Sequence, residues 1–498
     1  MATEVVLKYI QIILVLAIVY AVNVLAQSGC VVATSEGQRV ARQNDLFFKA
    51  IAQAARCPQN IDEVNALLAG QFQNRKFLVA NRGRNNPKLG SFSFFETFSG
   101  QSRNGEAEIF LGHFTGLRNA NGKAVIDLDQ SPDKGKLVIE LIAWDAQKGF
   151  YNFYELIGQG TTNQWFYRGD SKDILLDNQA IYLSQPTQFG QRLRCSGCHI
   201  SGGPIMKEMA FPHNDWWVKS RPLVFENPQS AAFLQRLRAV DTAENLSTQV
   251  QMGIQKLETS SQYQALKKSQ SVQAQLRPLF CDMEINIQSD VNSSDRSGTI
   301  QVPLASLGGP FAGARPIVIS KSTYQGLLQK HGMQFPETKF QDADHAWLSP
   351  VKGYSDLVAI ASLKASGLID DKTILDVYFA GQIGVLMNKD RCQLLKLVPN
   401  TWNWKPGFLQ NLRLQTSPVA KSLYQRMTNP ELNGAAYQKA IAEWYAQTSK
   451  KMQSGDVETA FIQLVQNRKA VFESDISKNP RGQILEPGFR VIFPVKRL

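Results

Sequence analysis

Residues 195 to 199 read Cys-Ser-Gly-Cys-His, and this run is where the chain can do chemistry. Two thiols three positions apart on one helical turn reach the two vinyl groups of a haem, and the next residue projects an imidazole onto the iron from the same side. Ser196 and Gly197 are small and keep the backbone close to the ring. Two other chemistries draw on the same residue types. A zinc site needs two further Cys or His ligands at matching spacing, and none of the other cysteines forms a second such pair. A redox-active dithiol sits at a helix start in a strand-helix-strand setting, which the flanking sequence lacks. The spacing therefore points to one covalent haem on Cys195, Cys198 and His199.

The segment resembles the attachment motif of c-type cytochromes. Its continuation through Gly202-Gly203-Pro204 to Trp216-Trp217 is similar to larger bacterial exported cytochrome-c-domain proteins. The resemblance implies a single haem c with His199 as the proximal iron ligand. In small cytochromes c a Gly-Pro after the motif supplies the carbonyl that accepts the histidine's other N–H. The resemblance gives that role to Gly203-Pro204, which would fix the tautomer and raise ligand basicity; a plain turn ending the haem helix uses the same two residues. The large β-rich stretch described below departs from a small, all-helical cytochrome c.

The sixth iron position has three solutions. Met206, Met209 and His213 lie close in sequence but must wrap the ring edge to reach its far face, whereas His331, Met333 and His345 can arrive from another element. Thioether or imidazole would each make a low-spin electron carrier, and the third solution is an open position. Arg192, Arg194 and Lys207 are candidates for the haem propionates, and His113 is expected to be structural.

The first 26 residues are expected to be an address. Lys8 precedes an apolar run from Ile10 to Val22, and Val24-Leu25-Ala26 fits cleavage by signal peptidase. Retention as a membrane anchor is the competing reading. Gln27-Ser28-Gly29-Cys30 also resembles a lipoprotein signal that would lipidate Cys30, with Gln27 where that signal usually has Leu. No stretch after residue 30 is long and apolar enough to span a membrane. Export to the periplasm makes disulfides available to Cys30, Cys57, Cys281 and Cys392. The expected pairs are Cys30 with Cys57 and Cys281 with Cys392, because the alternatives cross-link across the haem segment.

With 498 residues, 43% of them hydrophobic and 19% charged, the chain can bury a sizeable core. The net charge of +12 favours acidic protein partners, anionic lipid head groups or nucleic acid, and charge alone does not choose among them; for an electron carrier the basic surface would dock an acidic redox partner. No run of five or six Lys/Arg marks a nucleic-acid surface, so no nucleic acid is expected as a partner.

The class is α+β. After the signal at 1–26 comes a helical segment at 27–75, with apolar spacing over Leu46–Ala54 and a capping box from Asn60 to Glu63. An antiparallel β-rich domain is expected over 76–190, with strands at 77–79, 92–98, 109–114, 137–144 and 150–157 and a hairpin at Asp145–Gly149. Its many aromatics are read as strand core rather than a stacking surface. A mainly helical, haem-bearing domain follows over 191–498, with helices at 230–238, 242–257, 320–330, 355–365, 370–387 and 431–452. One strand pair, 285–287 with 300–302, interrupts it; alternation at Phe489, Val491 and Phe493 suggests a final strand, and Gly308–Arg315 reads as a turn.

The expected function is single-electron transfer. The rivals are a haem enzyme of peroxidase or oxygenase type with an open sixth position, and a haem-based sensor or binding protein.

Overall fold

The computed structural model describes residues 29–81, 91–100, 105–114, 130–182, 195, 199, 201–204, 240–241, 243–281, 285–288, 299–302, 317–331, 333–334, 349–352, 354–380, 389–453, 457–459, 462 and 495–496. The signal segment, the helix expected at 230–238, the turn at 308–315 and the strand at 489–493 lie outside the described residues.

The chain enters through a tight hairpin in which the Gly37 N–H donates to Thr34 O at 3.0 Å and Ala33 bridges Arg39. Two short helices follow. Helix α1 (Leu46–Gln53) is capped by Asp45, whose carboxylate accepts the Phe48 N–H at 2.8 Å. Helix α2 (Ile61–Leu68) is capped by Asn60, which accepts the Glu63 N–H at 2.9 Å. Glu63 returns a bond to the cap residue's side-chain amide, at 3.5 Å from Asn60 Nδ2, rather than to its backbone N–H as a capping box would. It also accepts from the Gln59 N–H at 2.9 Å and from Arg56.

Six strands then form one antiparallel meander in the order β1 (Phe72–Asn81), β2 (Ser91–Gly100), β3 (Ile109–Phe114), β4 (Leu137–Asp145), β5 (Phe150–Gly158) and β6 (Asn163–Asp170). The β4–β5 hairpin turns where the sequence placed it: Asp145 pairs with Phe150, and the Asp145 carboxylate accepts the N–H groups of Gln147 and Lys148 at 3.0 and 3.1 Å. The period-two alternation sends Tyr151 and Phe153 to one face of β5 and Tyr154 and Leu156 to the other. Helices α1 and α2 cover the second face, where Phe47 packs against Tyr154 and Trp165 with ring centroids 5.1 and 4.9 Å apart. Trp144, Tyr151, Phe153, Tyr154 and Trp165 are all buried, as strand-core aromatics should be.

Residues 171–182, expected within the β-rich stretch, are a helix, α3 (Ser171–Tyr182). The reason is a cap: the Asp170 carboxylate accepts the N–H groups of Lys172 and Asp173 at 3.1 and 3.2 Å, which turns the end of β6 directly into a helix. Helices α4 (Ala243–Thr259), α5 (Ser261–Ser269) and α6 (Val272–Phe280) follow. With α3, α4 and α5 lie over the face of the sheet that carries Tyr151 and Phe153, so one core draws on both sides of residue 190.

The two strands at β7 (Ile285–Gln288) and β8 (Thr299–Val302) exist, but they do not pair with each other. Strand β8 pairs with β9 (Ile317–Ser320), which leads into α7 (Lys321–Lys330), and β7 pairs with β11 (Ser349–Lys352). Alternation alone marks a strand and leaves its partner open. Between them β10 (Met333–Gln334) pairs with β12 (Val495–Lys496).

The remaining helices are α8 (Tyr354–Ala365), α9 (Asp371–Phe379), α10 (Lys389–Gln393), α11 (Trp404–Arg413), α12 (Pro418–Thr428) and α13 (Gly434–Gln453). Leu276, Phe280, Val377, Trp404, Phe408 and Leu423 centre a second helical core, in which the Trp404 indole N–H donates to Leu368 O at 3.1 Å. No described helix is long and apolar enough to cross a membrane.

Both expected disulfides form, Cys30–Cys57 and Cys281–Cys392, spanning 27 and 111 residues. Their presence is consistent with an exported protein, and losing a native disulfide of this kind costs about 2–5 kcal/mol. The Cys30 sulfur is engaged with Cys57, and the thioether of a lipoprotein anchor would compete for that same atom.

The cap of α9 yields a pH test. Partial burial pushes the Asp370 carboxyl up, and the hydrogen bonds from Lys405, at 2.8 Å, and from Thr373 overcome it and hold it down at about 2. Asp370→Asn keeps a capping side chain and loses the ion pair, so at pH 7 it should lower stability by at most about 1 kcal/mol, as for a solvent-screened pair. A carboxyl depressed in the folded state stabilises above its ordinary value of 3.8 and loses that contribution as pH falls to about 2. The gap in melting temperature between wild type and variant should therefore close across that window, and a gap constant from pH 7 downward would refute the ion pair.

Candidate functional site

The His199 N–H donates to Cys195 O at 2.6 Å, an i to i+4 bond that puts the two side chains one helical turn apart on one face. Cys195 is 5% exposed and packs in the core shared by Phe153, Ile174, Leu246, Ile254 and Leu257. His199 is half-buried, and the edge of its ring meets Phe153 with centroids 5.3 Å apart at 65°. Cys198 lies outside the described residues.

Immediately after His199 the chain turns sharply, with the Gly202 N–H donating to His199 O at 2.8 Å. Gly202 is required twice over: its φ is +76°, and a Cβ there would lie 2.5 Å from Ser171 O. Three successive carbonyls of this turn are then each held by a side chain. Ser201 O accepts the Tyr263 hydroxyl at 2.6 Å, Gly202 O accepts the Ser171 hydroxyl at 2.7 Å, and Gly203 O lies 2.8 Å from His199 Nδ1. Burial, reinforced by Glu258, pushes the Tyr263 phenol well above its ordinary range and keeps it an O–H donor. Ser171 Oγ also accepts the Tyr151 N–H at 2.8 Å, so one hydroxyl ties strand β5 to the turn.

The last of these bonds decides the imidazole chemistry. A carbonyl only accepts, so Nδ1 carries the proton and the lone pair sits on Nε2. That is the tautomer a metal-binding histidine needs, with its other nitrogen anchored to a backbone carbonyl. The accepting carbonyl belongs to Gly203, the residue before Pro204, as the resemblance implied. A thiol and a tautomer-fixed imidazole on one helical face are the donor set that fits a covalent haem.

Pro204 closes the turn against α4. A Cβ on Gly253 would lie 2.7 Å from Pro204 Cγ, 2.9 Å from Phe110 Cζ and 3.0 Å from the Tyr151 hydroxyl, which itself donates to Gly253 O at 3.2 Å.

The other candidates separate. Met206, Met209, His213, His345, Arg192, Arg194 and Lys207 lie outside the described residues. Met333 stands in β10 opposite Lys496. His331 Nε2 is 2.8 Å from a Glu458 carboxylate oxygen, whereas His113 is buried in the sheet, stacked on Phe94 at 5.4 Å and 3.4 Å from Glu96. His113 is thus structural, as expected. Among the described residues no group of three or more His, Cys, Asp or Glu side chains is placed to hold a metal ion.

Ser171, Tyr263 and Gly253 were not among the residues singled out from the sequence, and Phe153 was read only as a strand-core aromatic. No local signal marks them: Ser171 follows Gly169-Asp170 as a turn residue would, and Tyr263 is one aromatic on a polar helix. Compared with known proteins, the chain matches no family model, no curated protein and no solved structure.

The Gly253 contact predicts an inverted substitution effect. Glycine to alanine inside an exposed helix gains about 0.5–1 kcal/mol, but Gly253→Ala must displace Pro204 and two rings and should cost about 1–3 kcal/mol by denaturant unfolding. Neutral or increased stability would show that Pro204 does not pack as described.

Proposed function

We propose that this chain is an exported, periplasmic c-type haem protein that passes single electrons, with one haem held by Cys195, Cys198 and His199. The observation that carries the reading is the bond from His199 Nδ1 to the Gly203 carbonyl. It puts the proton on Nδ1 and leaves Nε2 as the nitrogen able to ligate, on a residue one helical turn from Cys195. When bound, the haem supplies an iron that cycles between ferrous and ferric states. The chain's own contribution is to attach, orient and bury. Cys195 and Cys198 supply the thiols, His199 the axial nitrogen, and Phe153 fixes the plane of the imidazole. The two disulfides support export, and the net charge of +12 supports docking to an acidic redox partner.

Thioether bonds survive denaturation, so the protein should keep its haem colour on a denaturing gel and gain the mass of one haem. A Cys195→Ser, Cys198→Ser double variant should lose both signals. Haem that extracts fully into acidic solvent from the wild type would refute covalent attachment.

The electron-carrier role requires an occupied far face, drawn from Met206, Met209, His213, Met333 or His345. Carbon monoxide should then bind the ferrous protein slowly or not at all. Rapid binding with a high-spin resting spectrum would favour the enzyme instead.

A further inference from the structure

A turn that ends a helix ordinarily leaves its carbonyls to solvent or to its own backbone. Here Ser201, Gly202 and Gly203 present three consecutive carbonyls, and the first two are held by hydroxyls from elements on either side: Ser171 at the start of α3 and Tyr263 in α5. Both donors are almost wholly buried, at 0% and 2% exposure. Pro204 is wedged on Gly253, so the third carbonyl has little room to move, and that carbonyl is the one bonded to His199. The two hydroxyls hold the two carbonyls immediately before the one that sets the imidazole's tautomer and basicity. We infer that Ser171 and Tyr263 are positioning residues, through which the β-sheet and the helix after α4 hold the Gly203 carbonyl on His199 Nδ1 and so tune the iron's potential. The inference rests on the haem reading above for its consequence, but not for its geometry.

Removing a hydroxyl lets the turn relax, lengthens the His199–Gly203 bond and makes the imidazole a poorer donor to ferric iron. The ferric form loses most, so the potential rises. Tyr263→Phe deletes one oxygen and is the decisive variant, since Ser171→Ala also orphans the buried Tyr151 N–H. On the full-length haem-loaded protein, each should move the ferric–ferrous equilibrium threefold to tenfold toward ferrous, where tenfold is about 59 mV for one electron. Asn60→Ala, which removes the remote cap of α2, is the control for stability loss alone and should leave the potential in place. A second readout needs no haem. The ¹⁵N shifts of the His199 side chain in full-length protein expressed without haem should show the Nδ1–H tautomer alone in wild type and a mixture in both variants.

If haem is attached and Tyr263→Phe folds with an unchanged potential, or moves it no more than Asn60→Ala does, the positioning role is overturned and the haem reading stands. If no haem attaches, the haem reading fails and the ¹⁵N measurement decides alone. A mixed tautomer in the variants then keeps Ser171 and Tyr263 as positioning residues for His199, and an unchanged Nδ1–H tautomer removes them.

Discussion

The burial of the central strands of the six-stranded sheet on both faces is the constraint on which the rest of the structure depends. Strand β5 has every residue after Phe150 buried, with Tyr154 and Leu156 under the amino-terminal helices and Tyr151 and Phe153 under the segment that follows the sheet. An antiparallel sheet can leave one face to water, and the central strands β3, β4 and β5 do not. Because its second face is covered by α3, α4, α5 and Cys195, the candidate site is built against the sheet itself. Phe153 and Ser171 reach His199 and its turn only because that face is closed.

Double burial raises the cost of every polar group inside, and the chain meets that cost with networks. On the first-helix side Asp45 is fully buried, and burial pushes its carboxyl above the ordinary range despite hydrogen bonds from Tyr154, Phe48 and Asn152. Asn152 also shares the neighbouring Asp145, and its carbonyl accepts from Lys148, which reaches on to Asp170 at 3.2 Å. Asp170 caps α3, whose first residue is Ser171. The same polar economy therefore runs from the amino-terminal helix to the carbonyls behind His199. Replacing a member with an apolar residue would leave a partner unsatisfied in a dry interior, where each orphaned group costs about 1–3 kcal/mol.

The second helical core stands apart in composition from this arrangement. Its closing feature is the Cys281–Cys392 bridge, beside which the buried Arg391 donates its Nε–H to Phe280 O at 3.0 Å. This core supplies none of the contacts to Cys195 or to the turn after His199 described above. A carrier of single electrons asks little of its protein beyond ligation, burial and a docking surface, and the proposed function places Cys195 and His199 on the first body of contacts.

By itself the sequence determined the α+β class, the Asp145–Gly149 hairpin and the run from Cys195 to His199 through local spacing, and the two disulfide pairings by setting aside the pairings that would cross-link across residues 195–199. Periodicity also placed β3 to the residue. It misjudged α3, where the Asp170 cap outweighed the strand pattern around it, and it paired β7 with β8 although each finds a partner elsewhere in the chain. Only the tertiary structure decided which side chains hold the turn behind His199. Ser171 lies 31 residues from Gly202 and Tyr263 lies 62 from Ser201, and nothing in either local sequence announces the partner. A hydrogen bond between distant residues is a property of how buried faces meet, and pattern along the chain carries no record of that meeting.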